Sequence, residues 1–366
     1  MRNPISDGER YRASVDSRAA GYLAIDLGPS RLAAGVIDER GEVVVRDRLA
    51  TPGRNVWPAL TQLVRRVMAA NPSGVVPRTV GVTCPGPIDR LTGAMKPIGM
   101  PTWHDFPIRR ELADVTGLPV GIDTPGRGLA LAELWCGEST DLDPAHQQFA
   151  TLVLGDDVDG GLVVGGRLAN GLTGNLGQFG HLIVEPEGLV CACGAVGCLT
   201  VYAGAAGITK GTGRDLRRTP AAIIERTGIM VARACASMAA MLDVAEIVIG
   251  GAVPSVFGAP FFDALEKELD HRSRLSHLER LRVRGVAGGR LGPLVAAAAV
   301  ARHAAAEHSL EDPTPDPPMP NPVSGEGPAV TIIPITPPGS HESASDGPES
   351  DGSGDAPDLP GGNPPE

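Results

Sequence analysis

Aromatic residues are scarce in this chain: they make up 3% of its 366 residues, although 42% of the residues are hydrophobic. A core must therefore consist mainly of Ala, Val, Leu and Ile, and the length allows one large or two medium domains. The sequence lacks an uninterrupted apolar run of about eighteen residues, so we expect no membrane-spanning helix. The first twenty residues contain no apolar stretch of the signal-peptide type, which favours a cytoplasmic protein without a membrane partner.

Lysine and arginine are absent from residue 311 onward, where eleven acidic residues occur. These charges equal the formal net charge of −11, so residues 1–310 are neutral. A neutral body has none of the basic patches that bind nucleic acid, and we expect no nucleic-acid partner. Fifteen of the 34 prolines lie in the same acidic stretch, which cannot bury enough apolar surface to order itself. The sequence predicts a disordered acidic tail at 309–366 and a short disordered segment at 1–20.

Between these ends, a pattern of short strands and helices occurs twice. GYLAIDLG, from residue 21, is typical of a buried strand, and FPIRRELADVTG predicts a helix that stops at Gly117. A second block begins near residue 149 with FATLVLGDDVDGG, which is typical of a hairpin. Both blocks have glycines where strands end, which suggests a ligand cleft between two lobes. We predict an α/β protein with an N-terminal lobe at 21–135 and a C-terminal lobe at 136–308.

Cysteine is infrequent, but three of the six cysteines are concentrated in CACGAVGC. With the preceding histidine they form the pattern H-x9-C-x-C-x4-C, and a set of three thiolates and one imidazole satisfies tetrahedral zinc. The spacing predicts a closed structural zinc site formed by His181, Cys191, Cys193 and Cys198. The alternative is that these are four buried groups without a metal. A metal site in a reducing compartment fits this spacing better than a set of disulfides.

Several motifs together resemble the ROK family of repressors, open reading frames and sugar kinases. GNLGQFGHLIVEP followed by CACGAVGCL is similar to the family signature, and DLGPSRLAAGVID is similar to its first phosphate loop. TCPGPID resembles the family's Pro-Gly loop near the sugar, and AEIVIGGAVPSVFG resembles its adenosine-side turn. The similarity extends over about residues 21–305. It implies an actin-like ATPase (ribonuclease H-like) two-lobed fold, with ATP and a hexose in the cleft, and a homodimer.

The phosphate side departs from the family pattern. The second phosphate loop of the family, G-T-G-x-G-G-G, here reads GDDVDGG, so that Asp156, Asp157 and Asp159 place carboxylates where bare backbone is expected to meet phosphate. These acids either hold a hard cation or form a solvated turn. We therefore expect that ATP and Mg²⁺ are not used. The resemblance implies a degenerate nucleotide site at Asp26, Gly28, Ser30, Gly155, Gly250 and Gly251.

The catalytic base of the family is also missing. Family kinases carry Asn-Asp-x-Asn after this strand, and here Thr124 and Pro125 occupy the place of Asn-Asp. Proline has no group that accepts a proton. Asp123 is a weak candidate for the base, because it lies two residue rises, roughly 6–7 Å, from position 125. A base must come within about 3 Å of the proton that it removes.

The sugar side has changed as well. Gly99 stands where the family has Asn, and Gln178 and Thr200 stand where it has Glu. Each hydroxyl of a hexose that loses its partner costs about 1–3 kcal/mol. The resemblance implies a degenerate substrate site at Gly86, Trp103, Gln178 and His181.

These changes predict a non-catalytic member of the family, a pseudokinase that binds a sugar-like ligand or a protein partner. The alternative is an ATP-dependent hexose kinase of the glucokinase type with a rearranged site and Asp123 as its base. A ROK-type transcriptional regulator is a weaker alternative, because the neutral body and the short segment before residue 21 offer no DNA-binding module.

Overall fold

The computed structural model describes residues 19–72, 74–138, 147–286 and 291–310. These residues belong to one compact unit, Met1–Pro313, whereas the second unit, Thr314–Glu366, lies outside them. Most of the two predicted disordered segments is likewise outside the described residues. The limits of both predictions were wrong by two residues, because Ala19 and Ala20 pair with the strand at Val75 and the last helix continues to Leu310.

Five strands form the first sheet in the order β3-β2-β1-β4-β7, and a short hairpin of β5 and β6 stands beside it. The strands are β1 (Ala19–Leu27), β2 (Arg31–Asp38), β3 (Val43–Ala50), β4 (Val75–Thr83), β5 (Ile88–Asp89), β6 (Ala94–Met95) and β7 (Val120–Asp123). β1, β4 and β7 run parallel, so their carboxyl ends meet at one edge. That edge carries Asp26, Thr83 and Asp123.

Five strands also form the second sheet, in the order β10-β9-β8-β11-β12. They are β8 (Phe149–Leu154), β9 (Val158–Val164), β10 (Arg167–Leu168), β11 (Glu246–Gly250) and β12 (Arg282–Gly285). β8 runs antiparallel to β9 and parallel to β11. The β8–β9 turn and the end of β11 therefore lie at the same edge, and they carry the acidic loop and Gly250.

Helices cover both sheets and bury their apolar faces. The first half contains α1 (Val56–Ala70) and α2 (Ile108–Thr116), which ends at Gly117 as predicted. After a connecting helix, α3 (Pro125–Cys136), the second half contains α4 (Leu199–Ala203), α5 (Ala205–Thr212), α6 (Ala221–Leu242), α7 (Ala252–Phe257) and α8 (Ala259–Arg272). No helix within the described ranges is long and apolar enough to cross a membrane.

The last helix, α9 (Pro293–Leu310), returns to the first sheet after the second sheet is complete. It packs on β1, β4 and β7 and against α3, which itself packs on β8 and β9. The approach is close because β4 and β7 present glycines: a Cβ on Gly81 would overlap the Ala297 carbonyl, and one on Gly121 would contact the Val300 carbonyl. Elements from both halves of the chain are thus interleaved, and the lobe boundary at residue 135 stays a prediction.

Candidate functional site

A cavity of about 620 Å³ is lined by the carboxyl ends of strands from both sheets and by the loops that follow them. The structure brings the six residues predicted on the nucleotide side to this lining: Asp26, Gly28, Ser30, Gly155, Gly250 and Gly251. Gly86, Gln178 and His181 of the predicted substrate set line the same cavity. Both halves of the predicted site therefore share one cleft.

Trp103 is the exception among the predicted substrate residues. Its side chain is 4% exposed and belongs to the hydrophobic core of the first half. Its ring lies 4.6 Å from that of Phe106, centroid to centroid. The position corrects the predicted substrate contact: the short turn that follows β6 directs this indole into the core and not into the cleft.

Asp123, the weak candidate for a base, is held in an ion-pair network behind the cleft. Its Oδ1 atom accepts hydrogen bonds from Arg90 Nη2 at 2.6 Å, from Arg127 Nε at 2.7 Å and from the Thr124 amide at 2.8 Å. Asp123 is not among the residues that line the cavity. Because the carboxylate is held by two guanidinium groups and does not line the cleft, the geometry gives Asp123 a structural role.

Arg127 extends this network across the chain. Its guanidinium donates to the backbone carbonyls of Ala169 and Leu176 and to the side chain of Asn170. The side chain is 2% exposed, and a buried guanidinium must find such partners. The arginine that replaced the second family Asn thus ties α3 to the segment after β10.

The first phosphate loop is closed by an acid of the second. Ser30 donates its backbone amide to Asp156 Oδ2 at 3.1 Å. The same carboxylate oxygen lies 3.7 Å from the place of a Cβ on Gly28. The backbone of the acidic loop is fixed by Ala205 and Ala206, whose amides donate to the Gly155 and Asp156 carbonyls. An internal carboxylate therefore occupies the donor that a phosphate oxygen would need.

Asp26 lies at the end of β1, next to this contact. Thr83 Oγ1 donates to its Oδ1 at 2.9 Å, and Arg31 lies 3.6 Å from its other oxygen. Burial raises the pKa of the Asp26 carboxyl, and the Thr83 hydroxyl and Arg31 counteract this only in part. The cleft thus contains an acid that is costly to ionise.

Asp159 directs a carboxylate at the first turn of α3. The Gly126 amide donates to its Oδ1 at 3.1 Å, while Oδ2 is buried without a hydrogen-bond partner. The hydroxyl of Thr124, a residue that is 1% exposed, interacts with this carboxylate, although the contact does not meet the geometry of a hydrogen bond. Burial raises the pKa of Asp159 to about 7, and contacts with Thr124 and Gly126 lower it less than burial raises it.

Asp157 takes the space that a side chain at position 99 would fill. A Cβ on Gly99 would lie 3.2 Å from Asp157 Oδ2. Burial and the nearby Asp156 raise the pKa of Asp157, whereas His181 lowers it. The Gln178 amide lies beside Gly86, where an added Cβ would come within 2.7 Å of its Nε2 atom. The family pattern places an Asn amide at position 99, whereas here the Asp157 carboxylate lies beside Gly99.

The zinc ligands predicted from the spacing converge on one point beside the cleft. The ligand atoms of His181, Cys191, Cys193 and Cys198 all lie within 4.8 Å of one another. Cys193 Sγ lies 3.8 Å from Cys198 Sγ, and His181 Nδ1 lies 3.8 Å from Cys191 Sγ. A tetrahedron with Zn–S bonds of about 2.3 Å has edges of about 3.8 Å, so the donor set fits zinc.

Two glycines let the chain turn around this centre. Gly194 and Gly197 have φ values of 93° and 82°, which favour glycine, and a Cβ on Gly197 would overlap the Glu185 carbonyl. Within the described ranges no second group of His, Cys, Asp or Glu converges in this way. Within the described residues, the acidic loop therefore shows no preformed cation site, in contrast to the hypothesis that its three acids hold a hard cation.

Comparison with known proteins now identifies the family. The sequence model of the ROK family matches residues 22–274. The chain belongs to the ROK family. The fold agrees with a ROK hexokinase from Thermus thermophilus, which is 28% identical, with a TM-score of 0.64 over 78% of this chain and 99% of that one. The predicted actin-like α/β fold and the family resemblance are confirmed.

Relatives of this chain include sugar kinases. A glucokinase from Thermotoga maritima is 31% identical over 192 residues, which are 51% of this chain and 58% of that enzyme. An N-acetylmannosamine kinase from Citrobacter koseri is 30% identical over 247 residues, or 63% of this chain and 83% of that enzyme. The chain thus spans little more than half the length of the glucokinase that it matches.

Sequence reasoning identified the three aspartates of the acidic loop but not their separate contacts within the ROK fold. Asp156 faces the first phosphate loop, Asp157 faces Gly99, and Asp159 faces the first turn of α3. The sequence signal for Asp159 was its position in GDDVDGG, two residues before Gly161. The packing of Gly161 against Arg127 of α3 is visible only in the structure. The role of Arg90, which completes the Asp123 network, carried no sequence signal.

From the raised pKa of Asp159 we predict that the free energy of unfolding depends on pH. Its pKa is raised from 3.8 to about 7 in the folded chain, beside the carboxylates of Asp123 and Asp157. The folded state thus binds this proton more tightly than the unfolded state, and the stabilisation is complete below about pH 4 and lost as the pH rises through about 7. Asp159→Asn should remove this slope, which is at most about 1.4 kcal/mol per pH unit.

Urea unfolding of both proteins at about pH 5 and about pH 8 measures the effect. The variant should gain free energy of unfolding relative to the native chain at the higher pH. An equal difference between the two proteins at both pH values would contradict the raised pKa.

Proposed function

We propose that this ROK protein binds a sugar-type ligand in its cleft and does not transfer phosphate to it from ATP. The observation that carries the proposal is the hydrogen bond from the Ser30 amide to Asp156 Oδ2. Phosphate loops bind through such free amides, because their N–H groups point at the phosphate oxygens. An amide that already donates to a carboxylate has no hydrogen to offer.

Charge supports the same conclusion. Four carboxylates, those of Asp26, Asp156, Asp157 and Asp159, line the cleft. A charged phosphate oxygen placed about 4 Å from one of them is repelled by about 1–4 kcal/mol. No group within the described ranges outside the zinc centre is arranged to hold a metal ion that would screen this repulsion. The triphosphate of ATP is therefore disfavoured throughout this side of the cleft.

The reacting centre also lacks the family's base. Pro125 begins α3 where the family carries its catalytic Asp, and Asp123 is engaged by Arg90 and Arg127. A sugar hydroxyl bound there would keep its proton. Binding without turnover is consistent with this arrangement.

Support for a sugar-type ligand comes from the part of the cleft wall around the short turn Phe179–His181. His181 and Gln178 line the cavity there, and relatives of this chain are a glucokinase and an N-acetylmannosamine kinase. Zinc held by His181, Cys191, Cys193 and Cys198 would fix this wall, because a metal with four protein ligands is structural and leaves no open position. The cytoplasmic location and the homodimer stay predictions.

A second candidate function is a sugar kinase with a relocated base. One observation favours it: Asp159 reaches the Gly126 amide, next to the family's base position, with its Oδ2 unpaired. A carboxylate with a pKa of about 7 suits general-base catalysis at neutral pH. Sugar-dependent release of ADP that is abolished by Asp159→Asn would establish this function in place of the first.

The proposal predicts that MgATP binds only weakly to the zinc-loaded protein and that no ADP is released with any hexose. Asp156→Thr, which restores the family residue, should free the Ser30 amide and raise the affinity for MgATP at least about tenfold, the value of one hydrogen bond. Isothermal titration calorimetry measures both quantities.

Asp215→Ala is the matched control for this experiment. Asp215 also accepts a backbone amide, that of Arg217, but it does not line the cleft. This variant should leave MgATP binding unchanged. Tight MgATP binding by the native chain would refute the proposed closure of the phosphate loop.

A further inference from the structure

We infer that Cys193 is an oxidation site, at which a peroxide converts two ligands of the zinc centre into a disulfide between Cys193 and Cys198 and so releases the metal. The inference goes beyond the proposed function, because it concerns the zinc centre and does not depend on which ligand the cleft binds. It follows from the exposure of one zinc ligand, from the distance between two sulfur atoms and from the position of the centre at the cleft wall.

One ligand of the zinc centre is open to solvent. All six cysteines lie within the described residues, and Cys193 is the only one of them that is exposed. The other two cysteine ligands, Cys191 and Cys198, are 5% and 0% exposed. A Cβ on the adjacent Gly194 would have no atom within 4 Å, so the chain faces open space at this point. A small reagent in solution therefore meets the Cys193 sulfur before the other two.

Exposure matters here because a cysteine that binds zinc is a thiolate. The thiolate is the form of cysteine that peroxides oxidise, and susceptibility follows thiolate character and solvent access. Cys84 and Cys235 are buried and outside the zinc group, and such structural cysteines are inert. Cys193 combines both requirements, since it belongs to the zinc donor set and is exposed.

A second sulfur lies within reach of the first. Cys193 Sγ is 3.8 Å from Cys198 Sγ, and a disulfide requires about 2.0 Å. The segment between these two cysteines contains Gly194 and Gly197, whose backbone has the conformational freedom for a small shift. An oxidised Cys193 can therefore be captured by Cys198.

The reaction has two steps, and in each step electrons pass from sulfur to oxygen. First, the Cys193 sulfur attacks an oxygen of the peroxide: an S–O bond forms, the O–O bond breaks and hydroxide leaves, which gives a sulfenic acid. Second, the Cys198 thiolate attacks the Cys193 sulfur: an S–S bond forms, the S–O bond breaks and another hydroxide leaves. The two cysteines lose two electrons, hydrogen peroxide gains them, and two protons from the solvent convert both hydroxides into water.

The disulfide removes half of the zinc ligands. The thiolate is the form of cysteine that binds a metal, and neither sulfur of a disulfide is a thiolate. His181 and Cys191 then remain from the original four. A structural zinc ion is held by four protein ligands, and its affinity depends on their being deprotonated and present together. Oxidation at Cys193 therefore releases the ion.

Loss of the ion extends to the wall of the cleft. His181, Cys191 and Ala192 line the cavity. Cys198 directly precedes α4, and it forms an isolated β-bridge with Ile183. The segment 181–198 thus has a zinc ligand at each end, and oxidation loosens both. The cleft is in this way made sensitive to peroxide.

The test is treatment of the full-length, zinc-loaded chain with hydrogen peroxide. A colorimetric chelator measures released zinc, and alkylation followed by mass spectrometry counts free thiols. We expect loss of zinc together with loss of two thiols per chain, and recovery of both after addition of a thiol reductant and zinc. Fragmentation of the peptide should place the disulfide between Cys193 and Cys198. Hydrogen exchange should show that amides in the segment 181–198 lose protection.

Cys193→His separates oxidation from zinc binding. Two cysteines and two histidines also form a tetrahedral zinc set, so this variant should keep its zinc. Peroxide should release that zinc at least about tenfold more slowly than from the native chain, because the exposed thiolate is gone. Cys136→Ala is the control: Cys136 is half-buried and outside the zinc group, so zinc should leave this variant at the native rate.

The position of the disulfide in the native chain decides the question even if Cys193→His fails to bind zinc. Retention of zinc and of all thiols in excess peroxide would overturn the inference. A disulfide between Cys191 and Cys198 would also overturn it, as would equal rates of zinc release from Cys193→His and the native chain. These measurements involve no ligand of the cleft, so a negative result leaves the proposed function unaffected.

Discussion

Arg127→Met is expected to lower the free energy of unfolding by about 3–5 kcal/mol, the cost of removing one partner of a buried ion pair. Arg127 is 2% exposed, and Asp123, its partner at 2.7 Å, is 4% exposed. The exchange also leaves the Ala169 and Leu176 carbonyls without their side-chain donor. Urea denaturation monitored by circular dichroism gives the change in free energy.

Arg110→Met is the control for this prediction. Its guanidinium pairs with Asp114 at 3.9 Å on an exposed surface, with 80% of the side chain accessible. Exposed pairs contribute at most about 1 kcal/mol, so this variant should unfold near the native midpoint. If Arg127→Met costs no more than the control, the network behind the cleft has no structural role.

Removal of zinc is expected to have an effect of comparable or greater size. Cys198→Ala should abolish the one zinc ion that we expect for each chain, and it should destabilise the protein by several kcal/mol, with an upper limit near the ~10 kcal/mol of zinc-dependent peptides. Cys198 is fully buried and immediately precedes α4, so its loss also releases the start of that helix. Elemental analysis and the melting temperature with and without a chelator measure both effects.

Cys235→Ala is the matched control for zinc. Cys235 is also fully buried, but it lies in α6 among apolar residues and outside the zinc group. This variant should keep its zinc and lose only packing energy, on the order of 1 kcal/mol. An unchanged zinc content in Cys198→Ala would show that the four ligands do not form the site.

The zinc centre was predictable because its determinants are local. All four ligands lie between residues 181 and 198, and glycines with positive φ bend the backbone around them. Element types were predictable for the same reason, as in the helix that stops at Gly117. Hydrophobic periodicity and turn residues act over a few positions, so they can be recognised from the sequence alone.

The cleft was only partly predictable, because its contacts join distant positions. The missing base at Pro125 is visible in the sequence, but the engagement of Asp123 by Arg90, 33 residues away, is not. From the sequence, the distance between positions 123 and 125 along the strand indicates only whether Asp123 could reach the sugar. The structure shows that the Asp123 carboxylate is paired with Arg90 and Arg127. Residue spacing along the chain does not predict such a pairing.

The sequence alone therefore determined the family, the zinc ligands and the positions at which this ROK protein departs from a kinase. Tertiary structure decided what those departures do. Asp156 meets the Ser30 amide across 126 residues, and Asp159 meets the first turn of α3 across 33. The physical reason is that the effect of a carboxylate on binding and stability depends on the groups that it contacts. Those groups are determined by the packing of the β8–β9 turn between the first phosphate loop and α3.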